Sequence, residues 1–279
     1  MKSIYDNVSF ESSKMVTKAY STSFSLATSM LGKNIRQDIY NVYGFVRFAD
    51  EIVDSFHEYD KTFLFDNFEE QLYAALEHKI SLNPILNAFQ HTVHKYNIEL
   101  AYIKSFMRSM RLDLSKSKYQ TQEETDDYIY GSADVVGLIC LQVFVKGDKS
   151  LFDELKCSAM KLGSAFQKVN FLRDLKEDVE NLGRTYFPNI DLDVLTESTK
   201  KEIIKEIEAD FEEGYQGIKN LPVEAKLGVY AAYRYYKQLL KKLECTPAQE
   251  IKNERIRVPN YKKLELLTRS YVKYQLNLL

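Results

Sequence analysis

Two pairs of aspartates are the residues of this chain whose type and spacing best fit chemistry. Asp50 and Asp54 form one pair, Asp174 and Asp178 form the other, and both have the spacing D-x-x-x-D. On a helix, residues four positions apart are neighbours, so each pair places two like charges side by side. Such charges repel and Asp is a poor helix former, so helix stability alone does not select them. A divalent cation between the two carboxylates removes this conflict.

The surroundings of the two pairs differ. The first pair lies at the edge of an apolar arc together with Tyr43 and Arg47, so a solvated helix face with Arg47 as a local ion-pair partner is an equal alternative there. The second pair lies on a helix that is apolar on nearly every other side. Carboxylates buried without partners are costly, so they should meet cations. The residues that share the stripe of this second pair are Gly163, Gln167, Asn170, Asp174 and Asp178.

Magnesium is the cation that fits this pattern. It takes few protein carboxylates and completes its octahedral shell with waters and phosphate oxygens, so we expect Mg²⁺, with Mn²⁺ as an alternative. Ions held between two acidic helices would bridge a diphosphate and make it a good leaving group. Arginines near the acids can add bidentate donors, although each also fits an ordinary ion pair: Arg47, Arg173, Arg184 and Arg255.

Helices must position these groups, because apolar residues recur at helical spacing along almost the whole chain. Glycine (10) and proline (5) are scarce in 279 residues, which favours long helices joined by few loops. No linker, low-complexity tract or internal repeat divides the chain, so we predict an all-α fold with one domain over residues 1–279. The predicted helices span 9–30, 36–57, 61–78, 84–95, 99–115, 122–130, 132–146, 150–181, 197–217, 222–243 and 261–277.

Composition and charge exclude several classes of function. A net charge of −2 and a pI near 6.2 indicate no nucleic-acid partner, and three scattered cysteines fit neither a disulfide framework nor a zinc site. The N-terminus has no apolar signal core, and the apolar run 135–145 is too short to span a bilayer. We therefore expect a cytoplasmic protein, and a peripheral membrane contact for product release stays open. Most of the 20 Tyr and 16 Phe should be core residues, although aromatic faces also stabilise cations.

Five segments of the chain resemble the squalene/phytoene synthase family. The resemblance covers nearly the whole chain and implies a helical fold of the isoprenoid synthase type, with a central active-site cavity and an acidic pair on each of two facing helices. The last two segments together are the most specific signature. The segments are Tyr20–Phe24, Tyr43–Asp54, Tyr130–Gly137, Gln167–Asp178 and Gly183–Pro188.

The resemblance also implies a reaction in two steps. One prenyl diphosphate ionises and is captured by the double bond of a second, which yields a cyclopropylcarbinyl diphosphate; this intermediate ionises, rearranges to a 1-1′ linkage and is quenched. By the same resemblance, the metal ligands are Asp50, Asp54, Asn170, Asp174 and Asp178. Contacts to diphosphate or metal-bound groups are implied for Ser21, Ser23, Arg47, Gln167, Asn170 and Arg173. The tyrosines implied to line the reacting cavity are Tyr43, Tyr130 and Tyr186.

Four further positions bear on the cavity. Phe24 and Thr28 are one helical turn apart, so Thr28 is expected to point deeper along the hydrocarbon cavity; the alternative is packing against a neighbouring helix. Lys176 and Asp134 stand where the family often has glycine. By helical spacing Lys176 points away from the acidic stripe, whereas Asp134 puts the local packing near the cavity in question.

Within the family, the segments Asp50–Asp54 and Gly183–Pro188 are most similar to the phytoene synthases, which lose a proton at the end of the reaction and take no hydride from NADPH. We therefore expect two geranylgeranyl diphosphates to be joined to phytoene without NADPH. The alternatives are a C30 dehydrosqualene or squalene synthase that uses farnesyl diphosphate, another helical terpenoid synthase or cyclase, and a catalytically silent assembly subunit. A silent relative would be expected to lose an acidic motif, and here both are complete.

Overall fold

Short polar side chains mark where many of the helices begin. The protein is described here by a computed structural model, which covers residues 1–188 and 195–276. In six helices the side chain of the first flanking residue accepts a backbone N–H of the first turn, which otherwise has no partner. These residues are Ser21, Asp60, Asn83, Thr121, Asp148 and Thr196.

Over these two ranges the chain forms thirteen α-helices and one π-helical turn, with no β-strand. The predicted all-α fold is thereby confirmed. The π turn spans Tyr130–Asp134. The helices are α1 (Lys2–Tyr20), α2 (Thr22–Ser29), α3 (Lys33–Asp54), α4 (Lys61–His78), α5 (Pro84–Tyr96), α6 (Leu100–Leu112), α7 (Gln122–Ile129), α8 (Val135–Val145), α9 (Lys149–Glu180), α10 (Glu197–Asn220), α11 (Val223–Cys245), α12 (Ala248–Ile251) and α13 (Asn260–Gln275).

Three differences from the predicted helices have a physical cause. The helix predicted over 9–30 is two helices, because Ser21 is extended (φ −143°, ψ 101°) and caps α2. The two helices predicted over 122–130 and 132–146 are continuous, because the π turn keeps helical dihedral angles. The short helix α12 lies in a segment without apolar periodicity and was not predicted. Residue 277, at the end of the last predicted helix, lies outside the described residues.

An apolar core fixes the helix that carries the first acidic pair. Phe45 of α3 stacks on Phe89 of α5 at 4.0 Å and contacts Phe68 of α4 and Phe106 of α6. All four side chains are buried, and burial of one Phe contributes about 1.5–3 kcal/mol. The second acidic pair lies on α9, which packs along α8 and α10. Packing therefore holds both acidic helices in place.

One helical run, Gln122–Val145, is long and apolar enough to cross a membrane by length and composition. It joins α7, the π turn and α8 in 24 residues, with a mean hydropathy of 1.6 in its most apolar window. The expectation that residues 135–145 are too short to span a bilayer therefore applies to α8 alone, because the helical run continues through the π turn. Over half of that window, 56%, is buried within the protein, and a buried core helix passes the same test.

Candidate active site

The C-terminal half of α3 carries the first acidic pair. Arg47 forms ion pairs with Asp50 and Glu51, and its guanidinium lies 4.5 Å from the centre of the Tyr20 ring. Burial, followed by the charge of Asp54, raises the pKa of Asp50 to about 7, although Arg47 acts in the opposite direction. The arginine therefore does not balance the negative charge of this end of α3.

The C-terminal half of α9 carries the second acidic pair. Arg173 Nε donates to Asp174 Oδ1 at 2.8 Å, and Arg255 Nε lies 2.8 Å from the same oxygen. The Asp178 carboxylate, one turn further along, forms no hydrogen bond or ion pair within the described part of the chain. Burial and the charges of Asp174 and Asp54 raise the pKa of Asp178 to about 8. The second pair thus contains one neutralised carboxylate and one without a partner among residues 1–188 and 195–276.

Arg184 joins the ends of the two acidic helices. Its Nη1 donates to Asp54 Oδ1 at 2.6 Å, and its backbone N–H donates to the carbonyl oxygen of Asp178 at 2.8 Å. Gly183, with φ +64°, provides the left-handed turn that brings Arg184 into this position. The Arg184 side chain is only 5% exposed. The two acidic pairs therefore meet at one place in the fold.

These carboxylates fit a cation that is shared with a phosphate group. Among the described residues, no three acidic, His or Cys side chains come close enough together to enclose an ion. The raised pKa values of Asp50 and Asp178 show instead that the buried carboxylates lack sufficient positive charge. Mg²⁺ uses few protein carboxylates and completes its shell with waters and phosphate oxygens. The donor set of this chain therefore fits Mg²⁺, with Asn170 one turn before Asp174 on the same helix.

An apolar cavity of about 260 Å³ is lined by residues of α3 and α9 that precede the acidic pairs. Val46 of α3 lies about one helical turn before Asp50, and Gln167 of α9 lies about two turns before Asp174. From Leu155, which also lines it, to Gln167, α9 advances by about 18 Å at 1.5 Å per residue. The cavity is therefore long and apolar enough for a hydrocarbon chain. Five glycines line the cavity at places where a Cβ would meet a neighbouring helix, so they let the surrounding helices approach closely: Gly137, Gly163, Gly214, Gly217 and Gly228.

Helix α2 contributes the predicted serines and the wall of the cavity. Phe24 and Thr28 both line the cavity; Phe24 stacks on Tyr43 at 4.5 Å, and Thr28 is buried. The Ser21 Oγ accepts the backbone N–H of Phe24 at 3.2 Å, and Ser23 is partly buried in the first turn. Burial raises the pKa of Tyr43 to about 12. Phe24 therefore belongs to the cavity wall and contacts, through Tyr43, the helix that carries the first acidic pair.

A cluster of aromatic rings packs beside Arg184. Tyr186 stacks on Phe171 at 4.1 Å and on Tyr128 at 5.1 Å, and Tyr119 contacts both tyrosines. Tyr130 has no ring contact with this cluster among the described residues. None of the three predicted tyrosines, Tyr43, Tyr130 and Tyr186, is among the described residues that line the apolar cavity. Tyr128 and Tyr130 differ because residues two positions apart on a helix point to nearly opposite faces, and the backbone is still helical at Tyr130 (φ −53°, ψ −50°).

Sequence reasoning did not identify Tyr128, Tyr119 or Asp113 as part of this region. Tyr128 Oη donates to Asp113 Oδ2 at 2.7 Å. Burial raises the pKa of Asp113 to about 7, against the charge of Arg184. The sequence offers one signal for Tyr128, namely a second tyrosine two positions before Tyr130. Helical spacing alone does not decide which of the two tyrosines faces the site.

The structure accommodates both residues that stand where the family often has glycine, Asp134 and Lys176. Asp134 is buried and accepts a hydrogen bond from Ser164 Oγ at 2.7 Å, and burial raises its pKa to about 6. The helices still pack closely there, since a Cβ on Gly163 would lie 2.9 Å from the carbonyl oxygen of Ala133. Lys176 donates to the carbonyl oxygen of Asn253 at 3.0 Å.

Comparisons with known proteins agree on one family. The squalene/phytoene synthase family model matches residues 17–262. Phytoene synthase of Arthrospira platensis is 28% identical over an alignment that covers 93% of this chain and 91% of the relative. Chloroplastic phytoene synthase of Daucus carota is also 28% identical, over 95% of this chain and 70% of the relative.

Two solved structures share the fold. A dehydrosqualene synthase in complex with ligand has a TM-score of 0.80 at 24% identity, over 97% of this chain and 98% of that one. Squalene synthase HpnC from Alicyclobacillus acidocaldarius has a TM-score of 0.75 at 23% identity, over 88% of this chain and 97% of that one. At these identities the likeness shows the fold alone.

Proposed function

This chain belongs to the squalene/phytoene synthase family of prenyl transferases, and from that premise we propose that it joins two geranylgeranyl diphosphates head to head to form phytoene. The observation that carries the proposal is a long apolar cavity whose walls on α3 and α9 lead, within one to two helical turns of Val46 and Gln167, to the first aspartate of each acidic pair. A prenyl diphosphate has the same two parts, since its hydrocarbon chain is apolar and its other end carries a compact negative charge.

The acidic end of the cavity is proposed to hold the diphosphates. A bound Mg²⁺ would neutralise the diphosphate and make it a better leaving group. The arginines that now pair with the aspartates can turn their donors towards phosphate oxygens. Arg255 is the most accessible of them, since its side chain is 40% exposed on the segment between α12 and α13. Glu177 lies 3.3 Å from Arg255 Nη1 and keeps it near the site.

The aromatic residues are proposed to stabilise the carbocations of the reaction. Phe24 lines the cavity and stacks on Tyr43, which lies about two helical turns before Asp50 on α3. An aromatic face attracts a cation through its quadrupole without supplying a nucleophile. The apolar walls also exclude water, which would otherwise capture the cation as an alcohol.

The reaction is proposed to end by loss of a proton, with no reduction by NADPH. The support for this ending is the likeness of the chain to phytoene synthases over more than nine-tenths of its length. Phytoene is wholly apolar, so a membrane surface is its proposed destination, which a protein in the cytoplasm would reach by peripheral contact.

Incubation with single substrates tests the proposal. The purified chain receives geranylgeranyl or farnesyl diphosphate, with Mg²⁺ or with excess EDTA, and with or without NADPH. We expect diphosphate release and a C40 hydrocarbon from the C20 substrate, dependent on Mg²⁺ and independent of NADPH, identified by mass spectrometry. Preferential formation of a C30 product would identify a dehydrosqualene or squalene synthase. A requirement for NADPH would identify a squalene synthase, which ends the reaction by reduction. Absence of release from either substrate would identify a silent subunit.

A further inference from the structure

A fifth carboxylate lies behind the acidic pairs. Asp113 directly follows α6, its side chain is 3% exposed, and Tyr128 Oη donates to its Oδ2 at 2.7 Å. Its other oxygen, Oδ1, is buried and has no hydrogen-bond partner among the described residues. Because a buried carboxylate oxygen without a donor is costly, helix packing alone does not account for an aspartate here.

The nearest cation to this oxygen is the guanidinium of Arg184. Its Nη1 lies 3.8 Å from Asp113 Oδ1, beyond hydrogen-bond distance, and donates to Asp54 Oδ1 at 2.6 Å. Its Nη2 donates to the carbonyl oxygens of Asp113 at 2.8 Å and Val53 at 3.3 Å. Two backbone groups therefore hold Nη2, while Nη1 donates to Tyr186 Oη at 3.4 Å and stands between the two carboxylates.

We propose that Asp113 is a positioning residue that balances the charge of Arg184, so that Asp54 stays available to a divalent cation. A guanidinium remains charged in proteins, and one this well buried requires an anion. With Asp54 as its only carboxylate partner, Arg184 would compete with the cation for that oxygen. With Asp113 behind it, Nη1 can close the 3.8 Å gap when Asp54 turns towards the cation. This inference rests on the proposed function, in which Asp54 is a cation ligand.

Binding of Mn²⁺ in the presence of inorganic pyrophosphate measures this role. Free Mn²⁺ is counted by electron paramagnetic resonance during titration of the wild-type chain, Asp113→Asn, Arg184→Gln and the double variant. Loss of a group that orients a metal ligand typically weakens metal binding by about 10–100-fold, and we expect a loss in this range for Asp113→Asn. In the Arg184→Gln background, Asp113→Asn should cause no further loss, since there is no guanidinium left to balance.

A matched control separates this role from a structural one. Asp38 is also buried and pairs with Lys95 at 2.7 Å and with Tyr96 at 2.9 Å, away from the site. Asp38→Asn should lower the thermal stability and leave Mn²⁺ affinity unchanged. A purely structural Asp113 would behave in the same way.

Each outcome decides a different point. If the wild-type chain binds no Mn²⁺, the cation site of the proposed function is wrong, and this inference with it. If the wild-type chain binds Mn²⁺ and Asp113→Asn binds it equally well, or loses affinity equally in both Arg184 backgrounds, this inference alone is wrong.

A second measurement does not depend on whether Asp113→Asn folds. In a crystal structure of the wild-type chain with Mg²⁺ and pyrophosphate, Arg184 Nη1 should lie within about 3.2 Å of Asp113 Oδ1, the range of a hydrogen bond. A separation still near 3.8 Å, with Nη1 bonded to Asp54, contradicts the inference.

Discussion

The aspartates of the site differ in how much positive charge lies close to each of them. Asp174 has two arginines within hydrogen-bond distance, whereas Asp178 has no such partner among the described residues. Asp50 and Asp178 both have raised pKa values, caused first by burial. At a binding site, carboxyl groups with raised pKa values indicate where a cation would fit.

Neutral replacement of one aspartate in each pair tests the metal ligands. Asp50→Asn or Asp174→Asn should lower kcat for diphosphate release by about a hundredfold or more, since metal assistance is worth several kcal/mol at about 1.4 kcal/mol per decade of rate. Asp66→Asn on α4 is the control, because that carboxylate is exposed and pairs only with Arg111 on the surface. Near-normal turnover in either site variant, or in excess EDTA, contradicts the mechanism.

The residue that sets chain length is predicted to be Thr28. The wild-type chain should prefer C20 over C15 diphosphates, and Thr28→Phe should shift the ratio of kcat/KM values towards C15, because a larger side chain fills the cavity. Overpacking costs about 1–3 kcal/mol, which is enough to change which substrate is preferred. Thr28→Ser keeps the volume small and should keep the wild-type preference.

Two results would contradict the prediction about chain length in different ways. A Thr28→Phe variant with unchanged C20 preference would show that Thr28 does not set the depth, although it lines the cavity. A wild-type preference for farnesyl diphosphate would show instead that the proposed substrate is wrong.

At the scale of elements, the π turn between α7 and α8 is held against α6. A Cβ on Gly131 would lie 2.0 Å from Ser109 Oγ and 2.7 Å from the carbonyl oxygen of Ser105. The Ser109 side chain can rotate away, but the backbone of Ser105 cannot move without shifting α6. Only glycine therefore allows this approach of the two elements.

Substitution in the π turn should destabilise the protein despite a better helix propensity. Gly131→Ala gains about 1 kcal/mol of propensity in an ordinary helix, whereas overpacking costs about 1–3 kcal/mol. We expect a net loss in the free energy of unfolding, measured by urea denaturation. Ser132→Ala in the same turn is the control: its Oγ is buried and has no hydrogen-bond partner in the described part of the chain, so its removal should be nearly neutral. A Gly131→Ala variant as stable as wild type would show that α6 can move away.

At the scale of the whole molecule, buried acids link stability to pH. Burial is the first cause of a raised pKa at four carboxyls: Asp134 (about 6), Asp50 and Asp113 (about 7) and Asp178 (about 8). Between the ordinary value near 4 and these values, the folded protein binds more protons than the unfolded chain. The free energy of unfolding therefore falls as pH rises through this window.

The metal-free protein should accordingly lose thermal stability between pH 5 and pH 8. Mg²⁺ with pyrophosphate should raise Tm more at pH 8 than at pH 6, because a cation offsets the charge of the ionised carboxylates. Scanning calorimetry over this range measures both effects. The double variant Asp50→Asn, Asp178→Asn should flatten the metal-free dependence, and a wild-type Tm that rises with pH would contradict the charge assignment.

The sequence by itself determined the helical class and the two acidic stripes. Both follow from local properties, namely the 3.6-residue period of apolar positions and the types of residue four positions apart. The same local reasoning placed α4 at Lys61–His78. Local reasoning wrongly predicted α1 and α2 as one helix, because the apolar period continues through Ser21, whereas the extended backbone at this cap ends the first helix.

Only the tertiary structure decided how these parts meet. Arg184 contacts Asp54 across 130 positions and Asp113 across 71 positions of the chain, and no local pattern encodes such distant pairs. Tyr128 and Tyr130 lie on opposite faces of one helical run, and only the packing of that run decides which face meets Tyr186. Helical period and residue type are local properties, whereas charge balance and register depend on contacts that exist only once the helices have packed.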